Sequence, residues 1–250
     1  MSKIISIFSG KGGVGKTTVA VNLALAMHKL AEDVVVVDCD LKNPNLGLHL
    51  EVFDYDKTLH DFLTKNLSLL ECIHIHPTGL KFIPSHLSLE YLNVNFNSPL
   101  SLKDIFADIS TQVILDSPPG LNEHAIRVLE SCDEVLVVTT PYLPDVTACI
   151  KTLQIARDIG VRVRGIILNR IGMSKYEISK EEIESISNTK VIQSIPWDKN
   201  VLKSLAVKTP VVEYKPYSPA SVAFYELASK LSGKEYKKPK FLRLKRLFLG

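Results

Sequence analysis

The sequence predicts an α/β fold: a doubly wound, mostly parallel sheet with helices on both faces. Two observations predict it. Short apolar runs rich in β-branched residues alternate with longer stretches of helical period over most of the 250 residues. Several of those runs, "VVVVD" above all, lack polar alternation, as suits strands buried on both faces. A composition of 46% hydrophobic and 23% charged residues is ordinary for a globular chain with one large core.

Taken in order, the strand-like runs are "IISIF" (4–8), "VVVVD" (34–38), "KFIP" (81–84), "QVILD" (112–116), "EVLVVTT" (134–140), "RGIILN" (164–169) and "KVIQSI" (190–195). Helical period marks 16–31, 58–65, 122–131, 144–159, 179–187, 199–206 and 218–232. Residues 66–104 are less regular, and "CIHIHP" and "NVNFNSPLS" read as peripheral elements or loops. "SGKEYKKPK" (232–240), rich in Gly, Lys and Pro, is the natural boundary between a core domain of residues 1–232 and a tail of residues 233–250.

The net charge of +3 is uneven: residues 233–250 hold seven Lys or Arg against Glu235 alone, so the tail is +6 and the rest of the chain −3. A mildly acidic body gives no support for a broad nucleic-acid-binding face, and DNA is not an expected partner. Cys39, Cys72, Cys132 and Cys149 are widely spaced with no C-x-x-C pair, which reads as reduced core thiols. The first residues carry no leader-like pattern, and no run approaches the ~18 apolar residues that span a bilayer. The expected location is cytoplasmic.

"GKGGVGKT", Gly10 to Thr17, fits G-x-x-x-x-G-K-[ST] between a buried strand and an apolar helix. Gly10, Gly12, Gly13 and Gly15 allow a backbone that turns several N–H groups toward one point, and the helix starting near Lys16 adds its positive end. Lys16 is expected to reach the β- and γ-phosphates and Thr17 to ligate Mg²⁺. Asp38 and Asp40 close the second strand and Asp116 the strand "QVILD", so three carboxylates approach the phosphates and metal at the sheet's carboxyl edge.

With its extra lysine, Lys11, "SGKGGVGKTT" resembles the deviant Walker A loop of the MinD/ParA family of dimerising ATPases, its MinD-type members most of all. "VVVVDCDLKNPNLGLHL" is similar to that family's D-x-D switch I segment, and "ILDSPPGL" to its Walker B and switch II. "IILNR", "SIPWDKNV" and "KTPVVEYKPYSPASVAFYELASKL" are similar to its adenine-side segments and last helix, so the likeness covers residues 1–232. The resemblance implies a Mg-ATP hydrolase that forms a homodimer. Lys11 would cross the dimer interface to the partner's phosphates, and Asp40 would orient the attacking water. Thr17, Asp40 and Asp116 would serve Mg²⁺, with Asp38 supporting the same region. Gly10 through Thr18, Val14 included, would cradle the phosphates. Asn169 and Arg170 would meet the adenine, with Pro196 and Asp198 closing over base and ribose.

Two features tempt and mislead. Cys72, His74 and His76 alternate at ligand-like spacing, but three ligands on one strand seldom close a zinc shell, so a strand face is expected instead. Iron–sulfur relatives of the P-loop need cluster-holding cysteines, and no C-x-x-C exists here.

The tail is the remaining signal. In "KKPKFLRLKRLFLG" six basic residues thread through six large apolar ones. On a helical wheel Phe241, Leu242, Leu244, Leu247 and Phe248 share an arc, Arg243 and Arg246 oppose it, and Lys245 falls inside it, where it would have to snorkel. Such a helix suits an anionic membrane surface. Each basic residue there contributes ~1 kcal/mol and each buried Leu or Phe ~1.5–3, against ~1–2 kcal/mol per ordered residue, so one tail binds weakly. Two tails on one dimer gain ~10² in avidity. The expectation is a reversible, membrane-associated spatial regulator, most simply of division-site selection, with an activating or effector protein as a further partner. A DNA-partition ATPase and a regulator of flagellar number are the competing readings of the same fold.

Overall fold

The computed structural model describes residues 3–52, 55–65, 67–87, 102–107 and 109–239. In chain order the elements are β1 (Ile4–Phe8), α1 (Lys16–Lys29), β2 (Val34–Asp38), α2 (Leu46–His49), α3 (Leu59–Thr64), a 3₁₀ turn (Leu69–Cys72), β3 (His74–Ile75), β4 (Lys81–Ile83) and α4 (Leu102–Ala107). There follow β5 (Gln112–Asp116), α5 (Glu123–Glu130), β6 (Glu134–Thr139), α6 (Leu143–Asp158), β7 (Arg162–Ile171), α7 (Lys180–Ser187), β8 (Val191–Pro196), α8 (Lys199–Ala206), α9 (Val211–Tyr214) and α10 (Pro219–Ser232). Eight strands make one sheet in the order β3-β4-β2-β5-β1-β6-β7-β8. All pairings are parallel except the short β3 against β4.

Both faces of the sheet are apolar, which is why its strands show no polar alternation. Successive residues point to opposite faces, and here they enter two separate cores. Val35, Val37, Val135 and Val137 pack with Leu59, Phe106, Val128 and Leu153 of α3, α4, α5 and α6. Val34, Val36, Leu136 and Val138 pack with Leu23 and Met27 of α1 and Phe224 and Leu227 of α10. Each such side chain contributes about 1.5–3 kcal/mol by leaving water.

The anticipated strands and helices are all present, with ends displaced by a residue or two. β7 is longer than its apolar run at both ends, pairing with β6 from Arg162 and with β8 as far as Ile171. α2, α4 and α9 were not marked by periodicity; at four to six residues they are too short to show one. Within "CIHIHP" only His74–Ile75 pairs as a strand, at the sheet edge, while "NVNFNSPLS" lies outside the described residues. No described helix is long and apolar enough to cross a membrane.

α10 ends on Gly233 in the left-handed conformation, φ 75°, which a residue without Cβ adopts readily. Beyond it the chain turns back along the helix. Tyr236 stacks on Tyr225 with ring centroids 4.9 Å apart, Lys238 pairs with Glu226, and Lys234 reaches Glu32 at 3.6 Å. The start of the basic linker is therefore laid against the core rather than held clear of it. The membrane-directed residues Phe241, Leu242, Arg243, Leu244, Lys245, Arg246, Leu247 and Phe248 lie outside the described residues.

Candidate functional site

The strand order reverses at β1, with β5 on one side and β6 on the other, and ligand sites of open α/β sheets form at such a point beyond the carboxyl ends of the strands. The loop between β1 and α1 lies there. Gly13 and Gly15 have φ of 85° and 92°, conformations that a side chain would strain. Gly10 is needed for a different reason, close approach: a Cβ there would fall 2.6 Å from Ala148 O and from Thr152 Oγ1 of α6. Gly12 meets neither constraint, its nearest neighbour being Pro119 at 3.9 Å. Ser9, Gly12, Gly13, Gly15, Lys16, Thr17, Thr18, Asp40, Asn45, His49, Pro119 and Arg170 line one cavity.

Two lysines of this loop are held differently. Lys16 is buried and donates to Asp116 Oδ1 at 2.8 Å, tying the start of α1 to the end of β5. Lys11 is 55% exposed and pairs with Asp145 Oδ1 of α6 at 3.0 Å. The other Asp145 oxygen accepts from the Thr140 hydroxyl at 2.5 Å. Asp145, the partner of Lys11, was marked by no sequence motif.

The three carboxylates converge as expected but divide their work. Asp38 and Asp116 are register partners on β2 and β5. Asp38 is fully buried, and its oxygens accept from the backbone N–H groups of Asp40, Asn45 and Leu46 at 3.1, 3.0 and 3.0 Å. It organises the loop after β2. Burial, and then the neighbouring Asp116 charge, push its carboxyl well above the ordinary range. Asp40 faces the cavity, accepts from Asn43 N at 3.1 Å, and is raised by burial. Asp116 Oδ2 is buried with no hydrogen-bond partner among the described residues. An orphaned carboxylate oxygen beside a lysine-lined cavity suits a bound cation better than a sealed core.

A second cavity opens on the other side of Gly15, lined by Thr18, Asn169, Arg170, Ile195, Pro196, Trp197, Asp198, Val201, Leu202, Leu205 and Phe224. Its apolar wall and few polar groups suit a flat heterocycle. Asn169 Nδ2 donates to Val14 O at 2.8 Å, so the residue expected to read the base also braces the phosphate loop. Asp198 borders the cavity, but its oxygens accept from Asn200 N at 2.9 Å and Ala220 N at 3.2 Å, serving the first turns of α8 and α10. The carboxylate is thus a scaffold for this wall. Trp197, which lies inside "SIPWDKNV" without having been singled out, and Leu202 and Leu205, which lie outside that segment, supply much of its apolar surface.

Residues 1–232 match the ParA family model, described as NUBPL iron-transfer P-loop NTPase. The chain belongs to the ParA family. It is 35% identical over 256 residues to an uncharacterized ATP-binding protein of Methanocaldococcus jannaschii, an alignment covering 98% of this chain and 97% of that protein. Among solved structures, the cell division ATPase MinD of Pyrococcus furiosus superposes with a TM-score of 0.87 at 32% identity, covering 93% of this chain and 99% of that one. The septum site-determining protein MinD of Pyrococcus horikoshii, complexed with Mg-ADP, gives 0.87 at 31%, covering 96% and 100%.

In this ParA-family protein all four cysteines are buried, and desolvation raises each thiol. Among the described residues no group of three or more His, Cys, Asp or Glu side chains is arranged to hold a metal ion. His74 and His76 turn instead to the carbonyls of Lys57 and Leu50 at 2.6 and 3.0 Å. His49, inside the segment 34–50, is a cavity residue that the sequence did not single out. Its Nδ1 lies 2.9 Å from Asn45 O, so that nitrogen carries the hydrogen, and Nε2 accepts from the Thr18 hydroxyl at 3.2 Å. It joins the loop after β2 to the first turn of α1.

Proposed function

We propose that this chain is a Mg-ATP-dependent, dimerising ATPase acting as a reversible spatial regulator at the cytoplasmic face of a membrane, in the manner of division-site selection. The observation that carries the reading is the pair of lysines on one glycine-rich loop, Lys16 buried against Asp116 and Lys11 exposed at the surface. One lysine serves the loop's own phosphate cavity, while the other is available to a cavity on a second copy. Mg-ADP bound to the similar Pyrococcus horikoshii protein supports the nucleotide and metal.

Thr17, Asp40 and Asp116 are the residues that would hold Mg²⁺, which when bound neutralises phosphate charge. The backbone from Gly10 to Thr18 cradles the phosphates, and Lys16 places a positive charge on their terminal oxygens. Asp40, set at the cavity wall, orients the water. Lys11 from a partner copy supplies the remaining charge, as an arginine finger does elsewhere. Asn169 and Arg170, with the wall around Pro196 and Trp197, hold the adenine. Dimer closure brings two tails together, and hydrolysis separates them.

Light scattering on the full chain tests the dimer step. Mg-ATP should give a dimer and Mg-ADP a monomer, and Lys11→Ala should remain monomeric in both. The same mass in both nucleotides would remove the reading. Salt-sensitive DNA retention in the ATP state without lipid binding would instead favour a partition ATPase.

A further inference from the structure

Five imidazoles are aimed at carbonyls of a single stretch of backbone. His124 Nε2 lies 3.0 Å from Cys39 O, His60 Nε2 3.2 Å from Leu41 O, and His49 Nδ1 2.9 Å from Asn45 O. His76 and His74 meet Leu50 O and Lys57 O in the same way. A carbonyl oxygen only accepts, so each of these nitrogens carries a hydrogen. The first two flank Asp40. The peptide group before Asp40 is pinned at both ends: His124 holds its C=O, and Asp38 Oδ1 accepts its N–H at 3.1 Å. One residue beyond Asp40, His60 holds the Leu41 carbonyl.

These donors come from different elements. His60 belongs to α3 and is itself locked, being fully buried and accepting at Nδ1 from His86 N at 3.0 Å. The His86 ring in turn meets Asp61 Oδ2 at 3.0 Å. His124 stands in the first turn of α5, just beyond the loop that follows Asp116. A carboxylate that must point at a water needs its own backbone fixed, and Asp40 sits two residues past the end of β2, beyond the last sheet bond there, from Cys39 N to Asp116 O at 2.9 Å.

We infer that His124 and His60 are positioning residues for Asp40, fixing the backbone on either side of it, and that His124 makes the aim of Asp40 depend on the placement of the loop after Asp116. The inference rests on the reading of Asp40 as the water-orienting group. A merely structural tie would also hold the loop, and the two roles differ in what their loss does to turnover once Asp40 has already been disabled.

The test measures kcat and KM for Mg-ATP by phosphate release from the full chain, with single-turnover measurement for slow variants. The set is wild type, His124→Leu, His124→Gln, His60→Gln, Asp40→Asn and the double variant Asp40→Asn/His124→Leu. His124→Leu should lower kcat about 3- to 10-fold, the range expected for losing one hydrogen bond, with KM changed less than about 2-fold. His124→Gln, which keeps an N–H donor at similar reach, should recover most of the loss, and His60→Gln should stay within about 3-fold of wild type for the same reason. In the Asp40→Asn background His124→Leu should cost less than about 2-fold further, because residues acting as one unit are non-additive. A full additional loss in that background, no rescue by glutamine, or a normal kcat for His124→Leu would overturn the inference. If Asp40→Asn turns over like wild type, or wild type does not turn over, the underlying reading of Asp40 fails and takes this inference with it. If Asp40→Asn is impaired while His124→Leu is normal, this inference alone fails.

Discussion

Lowering the pH from 7.5 to 5 should destabilise the empty protein through His60. Burial drives this imidazole down from 6.5 to about 4, with the nearby His86 adding to the effect. Its Nδ1 accepts a backbone N–H and its Nε2 serves Leu41 O, so the folded state has no place for a second proton. Between pH 6.5 and about 4 the unfolded chain binds a proton that the folded chain refuses, and stability therefore falls as pH falls through that window. The full gap is worth about 3 kcal/mol, of which about 2 kcal/mol develops between pH 7.5 and pH 5. Other groups titrate in the same range, so the comparison must be with His60→Gln, which keeps a donor for Leu41 O and cannot be protonated. Urea unfolding followed by circular dichroism at both pH values gives the two differences. Wild type should lose about 2 kcal/mol more than the variant; parallel losses would show that His60 is not held neutral by the fold.

Gly15→Ala should cost about 2–3 kcal/mol, since its φ of 92° is strained for alanine and the new Cβ would sit 2.5 Å from Asn169 Nδ2, breaking the bond to Val14. Gly12→Ala, with nothing nearer than 3.9 Å, should change urea stability by less than about 0.5 kcal/mol. Lys16→Ala should destabilise the empty protein by about 3–5 kcal/mol by stranding the 1% exposed Asp116, and adding Asp116→Asn should restore much of that loss in a thermal melt. Lys11→Ala should leave the melting temperature nearly unchanged, because a half-exposed ion pair is worth about 0–1 kcal/mol, yet lower ATP turnover by about 10³-fold.

The fold was legible because both faces of its strands are apolar, so runs such as 34–37 announce a doubly covered parallel sheet. The phosphate loop was legible because its glycines, lysines and threonine are contiguous. What sequence could not show is pairing across distance. Asp145, 134 residues from Lys11, and His124, 85 residues from Cys39, carry no local pattern; only the sheet order brings them to the site. His49 lies on a four-residue helix too short for any periodicity. The alternation of Cys72, His74 and His76 did suggest a shared face, but the edge strand ends at Ile75 and the two rings turn to different carbonyls. Asp198 shows the converse, a residue that lines a cavity while its carboxylate is spent on two helix ends.

The central claim is that nucleotide state decides membrane attachment, and co-sedimentation with anionic liposomes tests it most directly. The full chain should pellet in Mg-ATP and remain in the supernatant in Mg-ADP. A chain lacking residues 240–250, which keeps the Lys238–Glu226 pair and the Tyr225–Tyr236 stack, should stay in the supernatant in both while still binding nucleotide. Equal pelleting of the full chain in Mg-ATP and Mg-ADP, or none in either, would contradict the account.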